Sequence, residues 1–441
     1  MTKGIPIKVI LYFAIPLYIG QLFQLCYSLI DTRIIGSALG ENSLAAVGAT
    51  TSLSDLLIEF LNGMICGFGI IISTFWGAKD KKQVKKAIGG TLFLGIACTA
   101  FISIVCLILL PEILHILNVQ EELLSDASHY LSIIIAGLMA STLYNICAAV
   151  LRAIGDSFTP LLFLIISNVL NILLDYIGVY HLNMGVCGAA AATVISQLCS
   201  TILCFFYMRK KYPWIVLNKH EIKPEKNIYR QLIPTGLSMG FMLSFVMLGS
   251  LALQTGINAL GANIIVAHTG ARKITMIFLI PFFVLGTALA TYCGQNLGAK
   301  QYDRIKKGIL DSILVSLGWC VIVLLIVFTL SPKMIQLVTA SSEPEILGNA
   351  TLYLKVNAIF YFLPATICIL RNSMQGFGDS KTPLVSSVIE FAGKVLIAYL
   401  LVPYIRYLGV IVSEPIVWAI MVIPLLIGMK NYNYDARVKS R

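Results

Sequence analysis

Charge is scarce in this chain. Asp, Glu, Lys and Arg make up 12% of its 441 residues, against roughly 25% in soluble domains. No stretch is long and polar enough to be a soluble domain; the longest runs from Arg209 to Lys226. Histidine is also rare, with five residues, and HExxH does not occur; GxSxG occurs once, as Gly236-Leu237-Ser238-Met239-Gly240 within a long hydrophobic window and not at a strand-to-helix turn, which argues against a membrane-embedded metalloprotease or serine hydrolase. The eleven cysteines have no CxxC pair and lie mostly in apolar segments, Cys26, Cys66, Cys98, Cys106 and Cys147 among them. They read as small apolar residues, and neither a disulfide framework nor a metal centre is expected. The first hydrophobic run begins near Val9 and lacks a small-residue cleavage site, so it reads as an uncleaved first span.

What is abundant is apolar: 58% of the residues, with a mean hydropathy of +0.87. Windows long enough to cross a bilayer fall at 9–36, 46–76, 88–110, 127–151, 161–180, 187–208, 231–256, 264–294, 308–330, 351–371, 384–403 and 409–429. Several exceed the bilayer thickness, so long tilted helices are expected. The net charge of +11 has a topological explanation. Basic residues cluster after span two (Lys79, Lys81, Lys82, Lys85, Lys86), after span six (Arg209, Lys210, Lys211, Lys219, Lys223, Lys226), after span eight (Lys300, Arg304, Lys306, Lys307) and in the tail (Lys430, Arg437, Lys439, Arg441). With twelve spans all of these lie on one side, which predicts cytoplasmic termini. The other side carries Glu112, Glu121, Glu122, Asp126, Glu343 and Glu345. The basic run after Gly77 lacks interleaved aromatics, so no nucleic-acid partner is expected.

The chain repeats itself. Gly155-Asp156-Ser157-Phe158-Thr159-Pro160 recurs as Gly378-Asp379-Ser380-Lys381-Thr382-Pro383, and Gly77-Ala78-Lys79 as Gly298-Ala299-Lys300. Pro16 matches Pro234, and Leu39-Gly40 matches Leu260-Gly261. An even number of spans separates equivalents, so the repeat is parallel, as in transporters built of two bundles. The expected fold is all-α and integral to the membrane, with twelve helices in two pseudo-symmetric six-helix bundles around a central cavity. The expected divisions are 1–208 for the first lobe, 209–230 for a cytoplasmic linker, 231–430 for the second lobe and 431–441 for a tail. In the doubled loops Gly ends one helix, Asp or Ser caps the next and Pro enters its first turn. A gating role for Arg152, Asp156 and Asp379 is the functional alternative.

Polar residues inside the spans are the candidates for function, because a carboxylate at a helix centre costs about 2.5–3.5 kcal/mol on insertion scales. Asn171 and Asp175 stand four apart on one face of span five, with Asn168 a turn earlier; Asp31 and Thr193 lie at similar depth in spans one and six. Oxygen ligands at one depth suit a hard cation, Na⁺ at Asp31, Asn171, Asp175 and Thr193; two close carboxylates equally suit a shared proton. The neutral oxygens of Asn171 and Thr193 tilt this balance towards Na⁺. An interhelical hydrogen-bond network is the structural alternative. In the second half, Glu390 and Lys394 are spaced for an ion pair within their own helix, and the intramembrane cations counted are Lys394 and Arg272. Glu414, before Pro415, is a candidate for the cavity, Asp55 and Glu59 for an acidic mouth, and His268 for a satisfied polar residue or a proton relay. Tyr361, Phe362, Met242, Met247, Met64 and Phe68 are candidates for an apolar lining.

In order and spacing these landmarks resemble the multidrug and toxic compound extrusion family. They are Ile30-Asp31-Thr32 with Gly36 and Leu39-Gly40, the Gly-Ala-Lys loops, the doubled Gly-Asp-Ser-x-Thr-Pro loops, and Asn171-x-x-x-Asp175 followed by Gly188-Ala189-Ala190-x-x-Thr193. The resemblance covers essentially the whole chain. It implies a secondary antiporter, not an enzyme, that exports cationic amphipathic drugs in exchange for Na⁺ or H⁺. It implies no cofactor beyond that ion, and a place among the lipids of the cell (plasma or inner) membrane; the sequence leaves the oligomeric state open, with a monomer as the expectation. The family's N-lobe polar set maps to Asp31, Asn145, Asn171, Asp175 and Thr193; spans seven and ten lack the acids that one branch carries in its C-lobe. Glu390, Glu414, Asn168 and Tyr361 remain secondary candidates. The rival readings are a flippase for a lipid-linked saccharide or cell-wall precursor, a membrane-embedded enzyme and an ion channel.

Overall fold

Residues 1–117, 119–215, 217 and 225–432 are described by a computed structural model, with the side chains of 35, 38, 39, 41, 42 and 44 set aside. Lys219 and Lys223 of the linker, and Arg437, Lys439 and Arg441 of the tail, lie outside the described residues. The described chain is helical. Eleven helices are long and apolar enough to cross a membrane, or up to twelve when one bent pair counts as a span. They are α1 (Pro6–Ile34), α2 (Ala45–Gly77), α3 (Lys81–Ile108), α4 (Glu121–Ile154), α5 (Phe158–Tyr176), α6 (Gly185–Lys211), α7 (Lys226–Asn258), α8 (Ala262–Gly298), α9 (Tyr302–Thr339), α10 in two pieces (Pro344–Ile359 and Phe362–Gly376), α11 (Lys381–Leu400) and α12 (Tyr407–Lys430).

The pieces of α10 meet at 54°. A continuous helix would need the amide of residue 364 to donate to the Phe360 carbonyl, and Pro364 has no such hydrogen. The Leu363 amide takes that carbonyl instead, at 2.9 Å. The twelve hydrophobic windows therefore correspond to eleven helices and one broken span.

The repeated motifs are repeated backbone conformations. Gly40 and Gly261, which close the Leu-Gly pairs, have φ of 82° and 99°; Gly155 and Gly378 have 100° and 93°. Glycine suits these turns because a Cβ is disfavoured at positive φ. Lys79 and Lys300 take the same left-handed conformation, at 60° and 57°. In the doubled loops the cap is the aspartate. Asp156 accepts from the Thr159 amide (3.0 Å) and hydroxyl (2.8 Å); Asp379 accepts from the Thr382 amide (3.3 Å) and hydroxyl (2.7 Å). Such a cap stabilises a helix by about 1 kcal/mol, and it explains why threonine stands before the proline in both copies.

The chain divides into two compact units. One is Ile15–Gly240; the other joins Met1–Ala14 to the segment from Phe241 onward. The boundaries fall within α1 and α7, close to the repeated Pro16 and Pro234. In the first unit α4 packs on α3 and α6, and α5 on α6. In the second α8 is the central helix, packed against α9 and both pieces of α10, while α11 packs on α12. The share of the apolar window that is buried is 67% for α8 and 22% for α9. The outer helices therefore present apolar side chains outward, such as Leu314 and Leu325 at 58% and 63% exposure, as lipid requires and water disfavours.

Candidate functional site

The end of α5 and the start of α6 approach closely in the first unit. After Tyr176 the backbone widens into a π-turn at Ile177–His181, a distortion that recurs at functional sites. Gly178 of that turn lies against Gly188; a Cβ added at Gly188 would stand 3.1 Å from the Gly178 carbonyl carbon. The small residues of Gly188-Ala189-Ala190 thus let the two backbones come together, and they set Thr193 opposite Asn171.

The Asn171 carboxamide is satisfied in one orientation, assigned from its neighbours. Its nitrogen donates to Asp175 Oδ2 at 2.9 Å and to the Tyr27 hydroxyl oxygen at 2.7 Å; its oxygen accepts from the Thr193 amide at 2.9 Å. The Tyr27 hydroxyl also bonds with the Thr193 side chain, whose oxygen donates to the Ala189 carbonyl at 3.2 Å. Asp31 of α1 brings its carboxyl within hydrogen-bonding reach of Asp175. Asp175 is completely buried, and its Oδ1 has no donor. Two carboxyl groups thus face each other inside an apolar bundle, and among the described residues no cation pairs with either. As two anions they would repel; a proton or cation held between them removes the repulsion.

Asp31, Asn171, Asp175 and Thr193 are therefore brought together. Asn168 is buried one turn away, and its Nδ2 has no partner. Asn145 is half-buried on α4 and makes no hydrogen bond to this group. Two residues that sequence reasoning passed over belong here. Tyr27, one turn before Asp31, bridges α1 to α5 and α6, and Tyr130 of α4 lies close enough to feel Asp31, Asp175 and Asp55. Asp55 and Glu59 are half-buried on α2. The spacing Tyr27 to Asp31, one helical turn, was the available signal for the first; nothing in the sequence singles out Tyr130 among the nineteen tyrosines.

The second unit holds a chain of buried ions. Glu390 pairs with Lys394 at 3.0 Å, as their spacing predicts, and also with Arg371 at 3.2 Å. Lys394 reaches Glu414 at 3.7 Å, and Glu414 pairs with Arg272 at 3.1 Å. The Glu390–Lys394 pair is thus a segment of a larger network, and Glu414 is buried within it rather than facing a cavity. Arg371, at the end of its hydrophobic window, is the intramembrane cation missed by sequence reasoning. Tyr361 is fully buried beside this chain, donating to Thr275 Oγ1 at 3.2 Å; this removes it from any exposed lining. His268 is buried against the edges of Tyr353 and Tyr407, with Nδ1 3.5 Å from the Tyr407 hydroxyl.

At the helix ends, Asp156 also accepts from Lys211 Nζ at 3.3 Å and from the Tyr212 hydroxyl at 3.2 Å. Burial pushes its carboxyl up, but the Thr159 and Lys211 hydrogen bonds outweigh that, and it sits below the usual carboxylate range. Arg152 points Nη2 at Cys66 Sγ, 4.0 Å away.

Known proteins resemble this chain over nearly its whole length. "Probable multidrug resistance protein YoeA" of Bacillus subtilis is 27% identical over 97% of this chain and 94% of its own. "Multidrug export protein MepA" of Staphylococcus aureus is 25% identical over 90% and 86%. A multidrug resistance MATE family transporter of the MOP superfamily, solved in an outward-facing conformation, superposes with a TM-score of 0.89 at 24% identity, covering 99% of this chain and 98% of that one. The MatE family model matches residues 16–177 and 238–400, the two repeats in turn. The chain belongs to the MatE family of multi-pass membrane transporters.

Proposed function

We propose that this protein is a secondary antiporter that exports cationic amphipathic small molecules in exchange for H⁺ by alternating access. It works as a monomer in the cell membrane with both termini cytoplasmic. The observation that carries the reading is the Asp31–Asp175 contact, with Asp175 Oδ1 left without a donor. Asn171 favours a proton as the coupling ion. Its nitrogen, not its oxygen, faces Asp175. A Na⁺ ion needs oxygen ligands, and a donor nitrogen beside the carboxylate works against it. A proton between the carboxyl groups needs no further ligand. This moves the balance away from the Na⁺ preference that the neutral oxygens suggested.

The cycle follows from competition. From outside, a proton joins the pair and removes its negative charge, so the pair no longer holds an organic cation, which leaves. Facing inward, loss of the proton restores the charge for the next cation. The two are coupled because they stabilise one site in opposite states. Tyr27 and Asn171 fix the direction of Asp175 throughout.

The test is ethidium efflux from proteoliposomes with a pH gradient and a Na⁺ gradient imposed separately, in wild type and in Asp175→Asn. Efflux driven by the pH gradient alone and lost in the variant is expected. Drive by Na⁺ alone would overturn the choice of ion. Response to neither gradient would favour the lipid-precursor flippase.

A further inference from the structure

One line of side chains stays open along α2. From Leu61 to Ser73 every residue of that helix is buried except Asn62 and Cys66, which are half-buried. These two stand one turn apart, and Asp55 and Glu59, also half-buried, continue their line at the same helical spacing. The line is polar at all four positions. Side chains that faced hydrocarbon there would be apolar, since carboxylates within a span are kept facing protein or a polar space. Along the helix the line covers about 16 Å.

Other groups of the first unit meet the line at both ends. Tyr130 of α4 lies close enough to feel Asp55 as well as Asp31 and Asp175, so one side chain neighbours both the line and the carboxyl pair. Glu59 feels the charge of Asp55, and Cys66 feels those of Glu59 and Arg152. The Cys66 thiol donates to Asn62 Oδ1 at 3.8 Å, and Arg152 Nη2 of α4 lies 4.0 Å from Cys66 Sγ. Among the described residues no cation pairs with Asp55 or Glu59, and no carboxylate pairs with Arg152. These charges therefore do not serve as structural ion pairs, in contrast to Glu390 and Glu414 of the second unit.

We infer that Asp55 and Glu59 form a second proton station, and that the line Asp55–Glu59–Asn62–Cys66 carries the coupling proton between the Asp31–Asp175 pair and the end of α2 at Gly77. The proposed topology makes that end cytoplasmic. The inference rests on the proton-antiport reading and names the inner half of its route. The transfer balances without any redox step. The proton leaves the Asp31–Asp175 pair, joins a carboxylate of the second station, and is given up by Glu59 to water from the cytoplasm as hydronium. Each carboxyl then has the charge with which it began. Arg152 puts a fixed positive charge at the inner end of the line, which repels a proton held there and favours its departure. Asn62 and Cys66 carry no proton of their own through the step; they keep the line polar between Glu59 and that exit.

The test separates equilibrium from rate in the full-length protein. Ethidium is added to purified protein in weakly buffered detergent solution, and released protons are read with a pH-sensitive dye. Ethidium efflux from proteoliposomes is then driven by an imposed pH gradient. Wild type should release protons on binding ethidium. Glu59→Gln should bind ethidium within about twofold of wild type and still release protons, because the Asp31–Asp175 pair is intact. Its pH-driven efflux should fall by about tenfold or more, the loss expected for a proton-transferring group. Glu59→Asp, which keeps the carboxyl, should retain most of the rate. Asn62→Leu should slow efflux with binding retained, and covers the case in which Glu59→Gln does not fold. Wild-type efflux rates in both Glu59→Gln and Asn62→Leu would overturn the inference and leave the proton reading standing. Loss of ethidium binding in Glu59→Gln would also overturn it, by placing Glu59 in the organic-cation site. No proton release from wild type would overturn the proton reading and this route with it.

Discussion

Asn171 and Lys394 occupy the same place in the two repeats: the offset that carries Gly155 to Gly378 carries one to the other, and carries Asp175 to Ala398. In the first unit that place holds a neutral amide that orients a carboxylate, and the acids outnumber the bases around it. In the second it holds an ammonium sandwiched between two glutamates, and the bases outnumber the acids. Duplication thus supplied one helical scaffold twice, and substitution at equivalent positions gave the copies opposite polarity. A parallel repeat does not oblige its halves to do the same chemistry.

The largest expected effect is in the first unit. Asp31→Asn and Asp175→Asn should each reduce proton-driven efflux by about tenfold or more, while Lys394→Asn, which puts the first unit's residue into the second, should leave proton coupling in place. Proteoliposome flux under an imposed pH gradient checks all three. Equal loss in Lys394→Asn and Asp175→Asn would mean the sites titrate together, and the contrast would fall. Thermal unfolding in detergent then sharpens the contrast inside the second unit. Glu390→Ala strands Arg371 and leaves Lys394 only its longer contact with Glu414, and should cost about 3–5 kcal/mol. Lys394→Asn leaves Glu390 with Arg371 and Glu414 with Arg272, and should cost about 1–2 kcal/mol. Gly188→Val should destabilise the first unit by about 1–3 kcal/mol through overpacking against Gly178, and should weaken proton coupling by moving Thr193 away from Asn171.

The smallest effect concerns the Asp156 loop. Its carboxyl is lower in the folded chain than the usual carboxylate range. Its stabilisation is therefore complete above about pH 4, the ordinary value, and is lost as pH falls further, through the lowered folded value. With Lys211 half exposed, screening keeps the ionic part below about 1 kcal/mol. Unfolding of wild type and Asp156→Asn as a function of pH should show a gap at neutrality that closes in acid.

The helices and the repeat were legible because lipid permits so few polar residues that each one stands out. The same scarcity exposed Asp31, Asn171, Asp175 and Thr193. It did not expose Tyr27 and Tyr130, since tyrosine is amphipathic and common in spans, and a hydroxyl becomes a site component only through what it meets in space. Arg371 was obscured by its place at the end of a hydrophobic window, where a basic residue reads as an orientation signal. The Glu390–Lys394 pair followed from one helix alone; its extension to Glu414 and Arg272 required three helices to be placed together. The break in α10 needed a count of backbone donors around Pro364, which a hydropathy window does not make.

The alternating ion chain bears on how the protein is made. Within α11, Glu390 and Lys394 neutralise each other one turn apart, so that helix leaves the translocon with its two charges already compensated. Arg272 on α8 has its carboxylate partner on α12, and Glu414 cannot be present until the last helix has been synthesised. From the synthesis of α8 to that of α12, the nascent protein therefore carries an unpaired guanidinium at the level of the hydrocarbon.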